Sequence, residues 1–246
     1  MFRLSPSDRT VLSPASHTPG MTVREEFDQW AADGRDESMA DEHWHTAKEV
    51  LARMPVEPGD VVLDLGSGSG YAVRALRANA GAGRAYGLDA SPAMAANAGA
   101  ATDDPDVAFV GGTFTSIPFA DDSVDHAFSM EAFYYAADPI EALRELRRVL
   151  RPGGTFHCAV NYFEENPYSH DWSEYIAVDM SLWSRAEYRQ AFREAGFHVA
   201  CQDNVPDREI EIPPADEFPL EEWETREEMV ERYRELGTLL TVGVVP

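Results

Sequence analysis

Between Val61 and Phe163 the chain alternates short apolar, β-branched runs with stretches of helical period. The runs VVLDL (61–65), RAYGLD (84–89), VAFV (107–110), DHAFSM (125–130) and TFHCAVNYF (155–163) predict strands. Between them YAVRALRANA (71–80), SPAMAANAGA (91–100) and IEALRELRRVL (140–150) predict helices. Alternation at this spacing predicts an α/β fold with a largely parallel sheet covered by helices on both faces. Ahead of it, Phe27, Trp30 and Ala31 fall on one helical stripe and Trp44, Ala47, Val50, Leu51 and Met54 on another, which predicts a helical region from Val23 to about Met54, stopped by Pro55 and Pro58-Gly59. Polar punctuation sets the later boundaries. Asp138-Pro139 with Glu141, Ser91-Pro92, Ser184 with Glu187 and Thr225 with Glu228 are helix starts, Arg151-Pro152-Gly153-Gly154 is a stop, and the last helix closes at Gly237 before a final strand, GTLLTVGVVP.

This pattern divides the chain. Residues 1–20, with three Pro and four Ser, read as a disordered leader, with Met21 as an alternative start. Residues 21–246 form one domain: a helical cap (21–58), a ligand-binding core (59–161) and two aperiodic insertions, 162–182 and 205–224, of the kind that serve as lids. A length of 246 residues is ample for one buried core.

Composition narrows the setting. Cys158 and Cys201 are the only thiols, which excludes a secreted disulfide scaffold. No apolar run approaches the roughly 20 residues that span a bilayer, and the N-terminus lacks a signal-peptide core, so the expectation is a soluble, cytoplasmic protein without a membrane role. Acidic residues outnumber basic ones 44 to 20, a formal charge of -24 spread along the chain, and all the basic residues but Lys48 are Arg. Such a surface repels itself unless salt screens it, which points to halophilic adaptation; an Arg- and Ala-rich composition from a GC-rich genome, on an ordinary acidic enzyme, is the alternative. The charge also opposes a nucleic-acid backbone.

The sharpest chemical signal is VVLDLGSGSGYAVRAL, in which a buried strand runs through Gly66, Gly68 and Gly70 straight into a helix. Glycines there allow a tight turn and close approach of a ligand to free helix amides. Tyr71 stands where a dinucleotide fingerprint requires its third glycine. Asp89 ends the second strand 23 positions after Gly66, where a carboxylate can accept both hydroxyls of a ribose, and Asp64 directly precedes the glycine turn.

Together with the IPFADDSVD segment (117–125) and the RVLRPGG turn (148–154), these residues closely resemble the class I S-adenosylmethionine-dependent methyltransferases of the small-molecule, type 11-like kind, over roughly residues 40–160. The resemblance, with the acidity, suggests a halophilic archaeal source. It implies a Rossmann-like, doubly wound, seven-stranded mixed sheet with the last strand antiparallel, and S-adenosylmethionine as cofactor. By the same resemblance Gly66, Ser67, Gly68 and Gly70 line the methionine end of the cofactor, Asp64 orients the turn and the ammonium, and Asp89 holds the ribose. Ala90 and Met94 lie beside the adenine, and Met130 beside the reacting methyl. The family's acidic residue after the third strand is here Thr113, followed by Phe114, so a Thr hydroxyl or a backbone amide would replace that adenine contact.

Methyl transfer from a sulfonium needs alignment, exclusion of water and, where the acceptor carries one, removal of a proton. Candidates for that last task are Glu131, Tyr134 and Tyr135 after the fourth strand and Asn161 and Tyr162 after the fifth; Glu131 and Tyr134 are preferred. His43 and His45, two apart on a helix, cannot share a metal ion, and no metal is expected. The N-terminal helices would cover the cofactor, with Trp30, Trp44 and His45 shaping the acceptor pocket. Trp172, Tyr175, Trp183, Tyr188 and Trp223 supply aromatic surface in and beside the insertions, and the acidic EENPYSHDW segment suggests a cationic acceptor. The sheet order implied by the resemblance separates Cys158 from Cys201. The expected function is methyl transfer to a small acceptor, with oligomeric state left open. An RNA-modifying methyltransferase, a catalytically silent cofactor-binding protein and a nicotinamide-dependent oxidoreductase are the alternatives.

Overall fold

The structure is a computed structural model and describes residues 21–246; the expected leader, 1–20, lies outside the described residues. Seven strands form one sheet in the order β3-β2-β1-β4-β5-β7-β6: β1 (Val61–Leu65), β2 (Arg84–Asp89), β3 (Val107–Gly111), β4 (Val124–Met130), β5 (Leu150–Val160), β6 (His198–Val205) and β7 (Thr238–Val244). Pairings from β3 through β5 are parallel, and β7 enters antiparallel to both β5 and β6. The sheet is therefore the doubly wound mixed sheet expected. Strand order reverses between β1 and β4, and the crevice beyond their carboxyl ends is where open α/β sheets take ligands.

Each face buries one apolar set. Val62, Phe128 and Met130 pack with Ala47, Val50 and Leu51 of α2 (Arg35–Leu51) and with Ala72, Val73 and Leu76 of α3 (Tyr71–Asn79). Leu63, Leu65, Phe156 and Cys158 pack on the other face with Leu143 and Leu146 of α5 (Pro139–Val149) and with Tyr188 and Phe192 of α7 (Arg185–Glu194). A smaller cluster joins Trp30 and Ala31 of α1 (Val23–Ala32) to Met94 of α4 (Pro92–Ala100) and to Ile176 and Val178, which follow the single turn α6 (Trp172–Tyr175) in the first insertion.

The two family motifs meet in one side chain. Arg148 donates to the carbonyls of Ile117 (3.1 Å) and Phe119 (2.9 Å) and pairs with Asp121 (2.6 Å) and Glu145 (2.8 Å), so the IPFADDSVD segment is fastened to α5. Arg151 bonds both oxygens of Asp125, and Oδ2 also accepts from the Val61 amide at 2.8 Å, which fixes the entry of β1.

The expected helix starts are present. Ser91, Asp138, Ser184 and Thr225 each accept a hydrogen bond from the amide three residues on. Two boundaries and the form of the last helix differ from expectation. The N-terminal helical region is two helices, broken at Gly34, whose φ of 69° is left-handed. After α5 the chain enters β5 at Leu150, which pairs with Val124, so the Arg-Pro-Gly-Gly turn lies inside the strand's span. The last helix, α8 (Arg226–Val230), widens into a π turn at Glu231–Leu236 before Gly237, where a Cβ would stand 2.3 Å from the Val205 carbonyl oxygen.

Candidate cofactor and acceptor site

The glycine turn is latched by its own backbone. Gly66 and Ser67 donate to the Leu88 carbonyl at 2.8 and 3.0 Å, and Gly70 donates to Ser67 at 2.8 Å. All three glycines have positive φ. They differ in what surrounds them: a Cβ at Gly66 would stand 2.4 Å from the Ala132 Cβ and one at Gly70 would strike the Phe109 ring, whereas at Gly68 nothing lies within 4 Å. Backbone packing thus requires the outer two, while the middle one leaves open space over the turn. The following helix starts at Gly70 without a side-chain cap, so its first amides are left to a ligand. The Ser67 hydroxyl beside it is buried without a partner.

Asp89 is buried and held at both oxygens, accepting from the Gly68 amide (2.8 Å) and the Ser91 amide (2.8 Å). Each oxygen keeps a further lone pair, which suits two hydroxyl donors. Burial pushes the acid up and the two amides pull it back. Asp64, buried at the end of β1, is raised to about 8 by burial and then by the charge of Asp89. An open cradle, an orphaned hydroxyl and a carboxylate fixed at two points fit an adenosyl group with an amino acid tail.

Ala90 is half-buried at the carboxyl end of β2 and Met94 is buried on α4. The Ser91 hydroxyl donates to Asp28 of α1 at 2.6 Å, which ties the N-terminal helix over this end of the crevice. Phe114 lies beside the glycine turn and stacks on Phe133 with centroids 6.0 Å apart. Thr113 is exposed, with its hydroxyl 3.4 Å from that of Thr115.

At the end of β4, Met130 is buried and Glu131 has a φ of 52°, a conformation that costs a non-glycine residue and that clusters at functional sites. The Tyr134 hydroxyl donates to Glu131 Oε2 at 3.2 Å, and Oε1 is buried without a hydrogen-bond partner. Burial raises Glu131 to about 8, although the Arg232 charge, the Asn161 amide and Tyr134 each pull it down. Asn161 accepts from the Thr238 hydroxyl at 2.9 Å through its side chain, and Tyr162 meets Tyr134 edge-on at 5.5 Å.

Other expected residues separate. Trp44 packs edge-on against Tyr71 at 6.1 Å, while His45 turns away to Asp207 at 3.1 Å. Trp30 joins Phe27, which meets Tyr135 at 5.1 Å. Trp172 stacks on Tyr162, but Trp183 packs on Tyr188, and Trp223 joins Tyr168 and Tyr233. Cys158 and Cys201 are free, on strands separated by β7. Among the described residues no cluster of three or more His, Cys, Asp or Glu gathers to hold a metal, and no helix is long and apolar enough to cross a membrane. Sequence reasoning missed Asp28 and Arg232, since neither stands in a motif and a lone charge on a helix gives no sign of its distant partners.

A family model described as a methyltransferase domain matches residues 63–158, the span from β1 to β5 that builds this crevice. In the solved complex between the Haloferax volcanii Trm112 methyltransferase activator and its candidate methyltransferase, one chain is 65% identical to this one, with a TM-score of 0.89, and the match covers 92% of this chain and 100% of that one. The chain belongs to the S-adenosylmethionine-dependent methyltransferases. Methyltransferase phqN of Penicillium fellutanum is 31% identical over 71% of this methyltransferase and 54% of its own length. The chain spans about half the length of the first curated relatives it matches. The [4+2]-cyclase SpnF, 20% identical with a TM-score of 0.60, shares the fold alone. The Haloferax relative supports the halophilic expectation. That relative is solved with a protein activator, a kind of companion that nothing in this sequence announces.

Proposed function

We propose that this methyltransferase transfers the methyl group of S-adenosylmethionine to a small acceptor seated at the ends of β4 and β5, with Glu131 as the proton acceptor. One observation carries the reading: a strained, buried glutamate at the end of β4 keeps one carboxyl oxygen unpartnered while Tyr134 holds the other. When bound, the cofactor supplies an electrophilic methyl on a sulfonium.

The chain's residues do the rest. The turn from Gly66 to Gly70 and Asp64 hold the amino acid end. Asp89 accepts the ribose hydroxyls; Ala90, Met94 and Phe114 flank the base, and Thr113 takes the place of the family's acidic contact. Met130 adjoins the methyl. Glu131, raised to about 8, is mostly neutral at pH 7 and becomes a competent base as pH rises through that value. Tyr134, pushed well above 10 by burial, stays a phenol and fixes the rotamer of Glu131. A Trm112-type activator is the proposed protein partner, by similarity to the Haloferax relative.

The test is incorporation of labelled methyl from S-adenosylmethionine into small-molecule extract fractions in molar KCl, with and without added Haloferax volcanii Trm112. Glu131→Gln should lower transfer about 100-fold while S-adenosylhomocysteine affinity stays within about 3-fold. Transfer unchanged in that variant would remove Glu131 from the mechanism. Indifference to Trm112 with no co-elution would remove the partner and leave the transfer reading standing.

A further inference from the structure

Aromatic rings from three separate segments meet in one continuous run beside Glu131. Trp172 of the first insertion stacks on Tyr162 after β5 with centroids 6.4 Å apart and planes at 17°. Tyr162 meets Tyr134 at 5.5 Å, Tyr134 meets Tyr135 at 4.6 Å, Tyr135 meets Phe27 of α1 at 5.1 Å, and Phe27 meets Trp30 at 5.0 Å. Trp30, Tyr134 and Tyr162 are buried, whereas Phe27, Tyr135 and Trp172 are half-buried and keep ring surface. The run leads from the cap, past the ends of β4 and β5, to the insertion, and its three half-buried rings leave apolar surface on which a ligand can lie.

The polar groups along this run are few. Glu131 offers the unpartnered Oε1 next to the Tyr134 ring. Around Glu131 stand the phenols of Tyr71, Tyr134, Tyr135 and Tyr188 and the Cys158 thiol, all held neutral by burial, and one cation, Arg232. Arg232 is buried on the π turn, donates to the Gly237 carbonyl at 3.2 Å, lies over the Tyr233 ring at 5.1 Å, feels the charges of Glu131 and Asp207, and among the described residues makes no direct ion pair. The residue after Gly237, at the start of β7, ties back to the same place: the Thr238 hydroxyl donates to the Asn161 side chain, and the Asn161 backbone amide faces Glu131.

We infer that the acceptor is a flat aromatic molecule bearing a hydroxyl, stacked on the half-buried rings of Tyr135 and Phe27 with its hydroxyl on Glu131 Oε1. This rests on the methyl-transfer reading above and names its substrate class. The rings supply stacking that a saturated skeleton cannot match. Glu131 Oε1 accepts from a hydroxyl. Arg232 favours the oxyanion that forms as the proton leaves, and its like charge opposes an ammonium group, against the cationic acceptor suggested by EENPYSHDW. In the step, the acceptor O–H proton passes to ionised Glu131, the oxygen lone pair forms the new C–O bond, and the methyl carbon's bond to sulfur breaks with its pair left on sulfur.

Calorimetric titrations of the protein saturated with S-adenosylhomocysteine test this directly with 2-naphthol, its saturated counterpart decahydro-2-naphthol, and 2-naphthylmethylamine. The naphthol should bind about 5-fold or more tighter than either of the others, and Tyr135→Leu should erase the preference over the saturated alcohol. Absence of naphthol binding, or equal or tighter binding of the saturated alcohol or the amine, would overturn the aromatic-hydroxyl acceptor; these comparisons stand on the unaltered protein even if Tyr135→Leu fails to fold. Failure of S-adenosylhomocysteine itself to bind in the preceding titration would instead sink the methyl-transfer reading.

Discussion

Asp64 and Asp89 lie at the ends of adjacent strands, both buried, yet only Asp89 is fastened by amides of the turn and of α4. The difference has a chemical result. With its acid raised to about 8, Asp64 is mostly protonated at pH 7, and an ammonium group brought beside it would drive the proton off. On the proposed assignment, binding of S-adenosylhomocysteine at pH 7 therefore releases about one proton, and affinity rises with pH until the carboxyl is ionised near 8. Titration calorimetry in buffers of different ionisation enthalpy reads that proton, and Asp64→Asn should abolish it. A heat of binding independent of the buffer in the unaltered protein would contradict the assignment. The glycines of the same turn show how much a motif conveys. Their presence pointed to a close backbone approach, but only the structure distinguishes Gly66 and Gly70, which packing requires, from Gly68, which faces open space.

Elements were legible in the sequence where a local interaction fixes them. The starts at Ser91, Asp138, Ser184 and Thr225 were readable because each side chain serves an amide three residues away, within the reach of a sequence pattern. β1 and α3 were readable because an apolar run, three glycines and an apolar helical stripe follow one another without interruption. What escaped depends on distant partners. The break at Gly34 falls in the polar stretch between the two apolar stripes, where no period marks it, and β5 starts at Leu150 because Val124 pairs with it, a contact 26 residues away. Thr225 and Glu228 announced a helix, but no periodicity marks its widening into the π turn that buries Arg232. Likewise Glu131 and Tyr134 were plausible from their place after β4, while the strained backbone and the unpartnered oxygen belong to the folded chain. The aromatic supply was visible, and its division into the run at Glu131, the Trp183–Tyr188 pair and the Trp223 cluster was not.

At the scale of the whole molecule the charge of -24 is borne on a fold whose crevice is lined by buried acids, raised by that burial, rather than by exposed ones. The acidity therefore speaks of solvent. Molar salt contracts the screening length to about 3 Å and relieves the repulsion, so the midpoint of thermal unfolding should rise by about 10 °C between 0.2 and 2 M KCl. An unchanged midpoint would detach the charge from salt adaptation without touching the chemistry.

The central claim is that the crevice at the ends of β1, β2 and β4 binds an S-adenosyl group through Asp89 and the glycine turn. Its most direct test is a calorimetric titration in molar KCl with S-adenosylhomocysteine and, separately, with NAD. The predicted result is one S-adenosylhomocysteine per chain, affinity lowered about 100-fold in Asp89→Ala, and no heat from NAD. Binding of NAD without S-adenosylhomocysteine, or S-adenosylhomocysteine affinity unchanged in Asp89→Ala, would contradict it.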